Sequence, residues 1–132
     1  MKLQLLSCCL LLGLGCSSGS TGPQEYPVTG TVTLDGKPIE AGRILFRKIG
    51  DGDHAYGGEI TDGNYSFTSE PGKVKVEITA SRLIPGKFDS SNGTPEPVGE
   101  MYIPKKYNSQ TTLDAEVKPS SDNTIPFELK SK

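Results

Sequence analysis

VTGTVTLDGKPIEAGRILF, residues 28–46, reads as two strands joined by a loop with strong turn residues. Val28, Val32 and Leu34 alternate with Thr29, Thr31 and Thr33, the period-two pattern of a strand with one buried and one wet face. Gly30 falls in the inward row. Asp35-Gly36-Lys37-Pro38 then supplies a residue that tolerates positive φ and a proline that cannot donate to a ladder, so pairing is expected to stop there and the chain to reverse. The return strand places Ile44 and Phe46 inward and Arg43, Leu45 and Arg47 outward. The expectation is an organising hairpin onto which every later segment pairs or packs.

Working outward, Ala55 to Ile60 is a short strand broken by glycines, and Thr61-Asp62-Gly63-Asn64 is a tight-turn signal leading into Tyr65-Ser66-Phe67. Glu70-Pro71-Gly72 turns the chain into Lys73 to Ala80, where Val74, Val76, Ile78 and Ala80 alternate with Lys75, Glu77 and Thr79. From Arg82 to Ser109 the periodicity fails, because Pro85, Gly86, Gly93, Pro95, Pro97, Gly99 and Pro104 interrupt every run, and a long loop is expected. Two strands close the chain, with Leu113, Ala115 and Val117 inward in one and Ile125, Phe127 and Leu129 inward in the other. Pro126 on the outer face cannot donate to a ladder, so the last strand is expected at an edge or with that amide site facing solvent. The count is seven strands and no helix, the pattern of an all-β, seven-stranded antiparallel β-sandwich.

The chain has 132 residues, 16 of them glycine and 10 proline, with no tryptophan, which suits one small, turn-rich β domain. Residues 1–15, MKLQLLSCCLLLGLG, are apolar after Lys2 but shorter than the roughly 20 residues a membrane-spanning helix needs, so they read as a cleaved export signal. Cys8 and Cys9 leave with that signal and Cys16 alone remains, so the mature chain forms no internal disulfide. Ser17 to Glu25 are small and polar, a tether whose reach is about 15–18 Å. The domain proper is expected over residues 26–132. Loss of Lys2 takes the net charge from −2 to −3, which argues against a nucleic-acid partner.

Leu12-Gly13-Leu14-Gly15-Cys16 resembles a bacterial lipobox, which implies lipidation of Cys16 and attachment to the membrane. Each buried CH₂ of such a lipid contributes about 0.8 kcal/mol, so several chains hold effectively permanently. Ser17 after the cysteine implies the outer membrane over the inner one by the same resemblance. The opening stretch, with Thr61-Asp62-Gly63-Asn64-Tyr65-Ser66-Phe67 and Glu70-Pro71-Gly72-Lys73-Val74-Lys75-Val76, resembles the carboxypeptidase regulatory-like domain, a transthyretin-like fold. With the late segment Ile103-Pro104-Lys105-Lys106-Tyr107-Asn108 and Thr112-Leu113, the chain is similar to small lipoproteins abundant in planctomycete bacteria. That resemblance implies a non-catalytic module that presents a surface or binds partners. Its motifs are strand and turn chemistry, which specify a fold better than an activity.

Candidate sites follow from the remaining polar residues. The hydroxyisourate hydrolase of the transthyretin-like fold uses several histidines and a C-terminal Tyr-Arg-Gly-Ser, whereas this chain has His54 alone and ends Glu128-Leu129-Lys130-Ser131-Lys132. No catalytic residues and no cofactor are assigned. Asp51, Asp53, Glu59 and Asp62 lack the spacing of a calcium loop and read as solvated turn carboxylates, so no metal site is assigned, and His54 reads as an exposed turn residue. Tyr102, Lys105, Lys106 and Tyr107 offer stacking surface and charge for an envelope protein, a peptide or a glycan. The competing reading folds the two tyrosines back as a cap over one end of the domain.

Overall fold

A computed structural model describes Gly19 and residues 22–50 and 52–132. The signal segment, Cys16 and Asp51 lie outside the described residues. Strands β1 (Tyr26–Leu34), β2 (Lys37–Pro38), β3 (Ala41–Lys48), β4 (Ala55–Thr61), β5 (Asn64–Ser69) and β6 (Gly72–Thr79) form the first part of the chain. Strands β7 (Ser81–Asp89) and β8 (Glu96–Met101), a 3-10 turn at Lys105–Tyr107, and strands β9 (Asp114–Val117), β10 (Asn123–Thr124) and β11 (Phe127–Leu129) complete it. The fold is all-β, as the alternation predicts.

The pairing departs from the expected organising hairpin. β1 pairs with β5, while β3 lies between β4 and β6 and makes no ladder with β1. Asp35 and Gly36 do reverse the chain, with φ of 51° and 83°. Lys37 and Pro38 then pair with Leu34 and Thr33 for two residues only. Pro38 has no N–H to extend the ladder, and the chain leaves instead for the other half of the sheet. A second Asp-Gly turn takes the vacated place: the amides of Asp62 and Gly63 donate to the carbonyls of Glu40 and Ile39, each at 2.8 Å. Both turns have positive φ at two successive residues, the geometry whose twist matches paired strands.

The main sheet runs β10-β1-β5-β4-β3-β6-β9, with β11 continuing beyond β10 along the same side of β1. β4 and β5 pair only at Thr61↔Asn64, so the sheet bends at this hairpin and curls into a half-barrel. Pairing is antiparallel except at the β1 edge, where β10 and β11 run parallel to β1, a second departure from the sequence reading. Pro126 does fall at that edge, between β10 and β11.

The curl encloses the core. Val28 and Val32, Ile44 and Phe46, Val74, Val76 and Ile78, Val117, and Phe127 and Leu129 are buried in the rows that the alternation marks. Full burial of each such side chain contributes about 1.5–3 kcal/mol. Ile39 and Ile103 join them from segments with no readable period.

The expected loop from Arg82 to Ser109 is largely a β-hairpin. β7 and β8 pair from Ser81↔Met101 to Asp89↔Glu96, with an irregularity between Leu83 and Phe88 where Pro85 and Gly86 sit. The turn closes through the Gly93 amide to the Ser90 carbonyl at 3.0 Å. This arm is exposed along almost its whole length, so no buried face imposes an alternation on it. Its prolines and glycines therefore dominate the sequence without preventing a ladder.

Gly30 shows why the inward row of β1 carries a residue without a side chain. A Cβ there would lie 2.1 Å from the Ile125 carbonyl oxygen and 2.8 Å from Cε1 of Tyr65. The Tyr65 hydroxyl donates to that same carbonyl at 2.6 Å, and the Ile125 amide donates to the Thr29 carbonyl at 2.9 Å. Gly30→Ala is expected to push this edge away and destabilise the domain by about 1–3 kcal/mol. Urea unfolding checks it: the midpoint should fall with an unchanged slope.

Candidate functional site

Two polar assemblies occupy opposite ends of the molecule. β1 spans them, and its nine residues measure about 26 Å at 3.3 Å per step. The end near Leu34 carries a groove and the base of the β7–β8 arm. The end near Tyr26 carries a carboxylate held by a histidine and a tyrosine.

At the Leu34 end, Pro38 stops β2 and Ile39 turns inward, leaving a concavity of about 840 Å³ between this crossing and the start of β7. Leu34, Pro38 and Ile39 line it on one side, and Leu83 and Tyr102 on the other. Asp35, Lys37, Glu40 and Arg82 supply its polar groups. The Arg82 guanidinium stands 5.1 Å from the centre of the Tyr102 ring and its Nε bonds Glu100 at 3.0 Å. The wall of the groove is thus an aromatic ring covered by a paired cation. Asp35 is engaged by the C-terminal segment, accepting the amide of Ser131 at 3.0 Å and its hydroxyl. These two bonds, the hydroxyl one foremost, hold the Asp35 carboxyl below its usual range.

The four residues singled out from the sequence do not converge on one point. Tyr102 lines the groove, but Lys105, Lys106 and Tyr107 do not. Both tyrosines are half-buried against the core, and the Tyr107 hydroxyl accepts the Lys130 amide at 2.9 Å. Lys106 lies 5.1 Å from the Tyr107 ring centre, while Lys105 and Lys106 are exposed. The arrangement favours the capping reading for Tyr107 and leaves Tyr102 as the one member facing the groove.

Sequence reasoning passed over Asn108, which sets this arrangement. It is 5% exposed, and its Nδ2 reaches the carbonyls of Ile78 and Pro104 at 3.1 Å and of Ile103 at 3.4 Å. Those bonds tie the 3-10 turn to the end of β6. Its signal was faint, a single asparagine closing a lysine-rich turn. Asn123 does the same for the loop after β9, accepting the Lys118 amide at 2.8 Å and donating to the carbonyls of Lys118 and Ser120 at 3.0 Å.

At the Tyr26 end, Glu70 Oε2 receives the Tyr56 hydroxyl and faces His54 Nδ1, each at 2.9 Å. His54 is therefore more than a solvated turn residue, although half of its side chain is exposed. Lys48 Nζ donates to the Pro71 carbonyl at 3.0 Å, and the Thr68 hydroxyl bonds Glu25. The His54 and then the Tyr56 hydrogen bonds lower the Glu70 pKa from its ordinary 4.5. Desolvation, followed by the bond to Glu70, pushes the Tyr56 hydroxyl up to about 12. The cluster clamps the β3–β4 connection to the β5–β6 turn. Neither residue spacing nor composition pairs His54 with Glu70. Among the described residues no group of three or more His, Cys, Asp and Glu side chains could hold a metal ion.

Because the folded-state pKa of Glu70 is depressed, its contribution to stability is present above the unfolded value of about 4.5 and is lost as pH falls through the folded value. Glu70→Gln is therefore expected to be less stable than the wild type at neutral pH, with the difference shrinking below pH 4.5. Urea midpoints of the two proteins across the acid range measure this; a constant gap would remove Glu70 as the titrating group.

No family model matches the chain, and no curated protein sequence does. Among solved structures, the crystal structure of a 9R-lipoxygenase from Cyanothece PCC8801 is similar at 13% identity and a TM-score of 0.43, over 84% of this chain. The match spans only 17% of the length of that lipoxygenase.

Proposed function

We propose that the chain is a non-catalytic, lipid-anchored module of the cell envelope whose end remote from the membrane presents an interaction surface. The observation that carries this reading is the placement of the exposed β7–β8 arm and its groove at the Leu34 end of β1, opposite Tyr26, where the tether joins. A lipid on Cys16 and a short tether would hold the Tyr26 end close to the bilayer and leave the base of the arm on the side remote from it. The lipobox-like segment supports outer-membrane attachment through Cys16. The two Asp-Gly turns and the curled sheet closed over an aromatic core support a β-sandwich of the transthyretin-like, carboxypeptidase regulatory-like kind, as in the planctomycete lipoproteins. At the groove, the carboxylate of Asp35 and the guanidinium of Arg82 are both engaged by neighbours, which suits holding a surface in shape better than proton transfer.

A second reading makes the groove a glycan or small-ligand site. Tyr102 favours it, since a half-buried ring beside Asp35, Lys37 and Glu40 combines a stacking face with hydrogen-bonding groups. In that case Tyr102→Ala abolishes binding on a glycan array while the melting temperature is kept.

Two measurements test the first reading. A palmitate analogue should label the wild type in cells and leave Cys16→Ser unlabelled; labelling of both removes the lipid anchor. Affinity capture from native envelopes should retain a partner with the intact chain and lose it when residues 85–97 are replaced by a Gly-Ser turn. Equal capture by both proteins would clear the arm of any role.

A further inference from the structure

The arm is the least protected element of the fold. Among the described residues β7 has β8 on one side and no strand on the other, so its outer edge offers unpaired backbone groups. Two of its apolar side chains, Leu83 at 65% and Phe88 at 59% exposure, are the most exposed large hydrophobic residues among those described. An isolated two-stranded hairpin is marginal in water by itself, so such an arm gains from a further strand.

We propose that the partner of this edge is a second copy of the same chain, joined to it through antiparallel β7–β7 pairing about a two-fold axis between Pro85 and Gly86. The proposal rests on reading the Leu34 end as an interaction surface and names the occupant of that surface. The strand is self-complementary in this register. Arg82 falls opposite Asp89 of the second copy, and Leu83 falls opposite its Phe88, each pairing occurring twice by symmetry. Directly opposed residues project from the same face with Cβ atoms about 4.5–5.5 Å apart, so the two exposed apolar side chains cover each other on one face and opposite charges meet on the other. A slip of one residue sets Leu83 against Lys87 or against Asp89 and loses both matches.

The local geometry suits that register. Pro85 cannot donate, and at the axis it faces Gly86, so the missing amide falls where the strand is already kinked at φ 74°. Arg82 donates to Glu100 through Nε and stands over the Tyr102 ring, and its terminal nitrogens carry no bond to a carboxylate among the described residues. Asp89 accepts the Ser91 amide at 2.8 Å through Oδ1 and is exposed at the end of β7, where the guanidinium can reach it. Leu83 also lines the groove, so Phe88 of the second copy would stand at its mouth, near Leu34 and Tyr102. The pairing is short and weak in bulk solution. Antiparallel pairing brings both tethers to one bilayer when β7 lies along the membrane plane, and that confinement raises the effective concentration of the two copies.

Full-length Leu83→Cys and Phe88→Cys variants, expressed separately or together in cells, test the register by mild copper-phenanthroline oxidation of native membranes. Co-expression is expected to give a disulfide-linked dimer that neither variant forms alone. Arg82→Asp in both chains should lower the dimer yield about tenfold, because it opposes two carboxylates at each symmetric position, and Asp89→Arg added to it should restore the yield. Circular dichroism confirms folding of each variant, which is expected since these positions are exposed. Equal cross-linking in the single-variant samples, or none in the mixture, overturns the dimer. If the mixture fails while the intact arm still captures another protein from envelopes, self-pairing is wrong and the surface reading stands; if capture also fails, both fall.

Discussion

The two halves of the curled sheet meet at Phe46. It projects from β3 and packs edge-on against Phe67 of β5 at 4.9 Å between ring centres, and against Phe127 of β11 and Tyr65 of β5 at 6.3 and 6.5 Å. Edge-to-face contacts of this kind are worth about 0.5–1.5 kcal/mol beyond the area they bury. They also set direction, because the β4–β5 hairpin joins the halves by one residue pair and cannot by itself fix the angle between them. Side-chain packing across the curl therefore determines how far the sheet closes, and with it where the Leu34 and Tyr26 ends lie.

With that angle set, the ends are finished by hydrogen bonds of different character. At the Tyr26 end a carboxylate collects a phenol and an imidazole and ties two turns together, a small clamp that depends on charge. At the Leu34 end buried asparagine and the C-terminal segment hold a turn and a groove in place, while the arm projects with little packing. Stability and exposure are thus divided along β1. The core and the clamp need nothing further, whereas the arm leaves a backbone edge and apolar side chains in water.

The rows of buried residues were legible because burial on one face imposes period two. Val74, Val76 and Ile78 announce β6 for that reason, and the Asp-Gly pairs announce their turns because both residues must take positive φ. The arm was illegible for the opposite reason: with both faces wet, no periodicity is required. Partner choice was equally hidden. Nothing in Val28 to Phe46 says that its two strands will part at Pro38 and let another Asp-Gly turn come between them. Of the candidate surface, Tyr102 and Tyr107 were visible as residues, but their division between groove and cap depends on Asn108 reaching the carbonyl of Ile78, thirty positions away.

By itself the sequence determined an all-β chain, the inward rows of its strands, the two tight turns and the edge position of Pro126, because each follows from local sterics or from the burial of one face. Only the tertiary structure decided which strands pair, that β10 and β11 run parallel to β1, that the glycine- and proline-rich stretch is a projecting hairpin, and that Glu70 meets His54 and Tyr56. Those outcomes depend on contacts between residues distant in the chain, whose energies are comparable for several pairings until the core around Phe46 selects one.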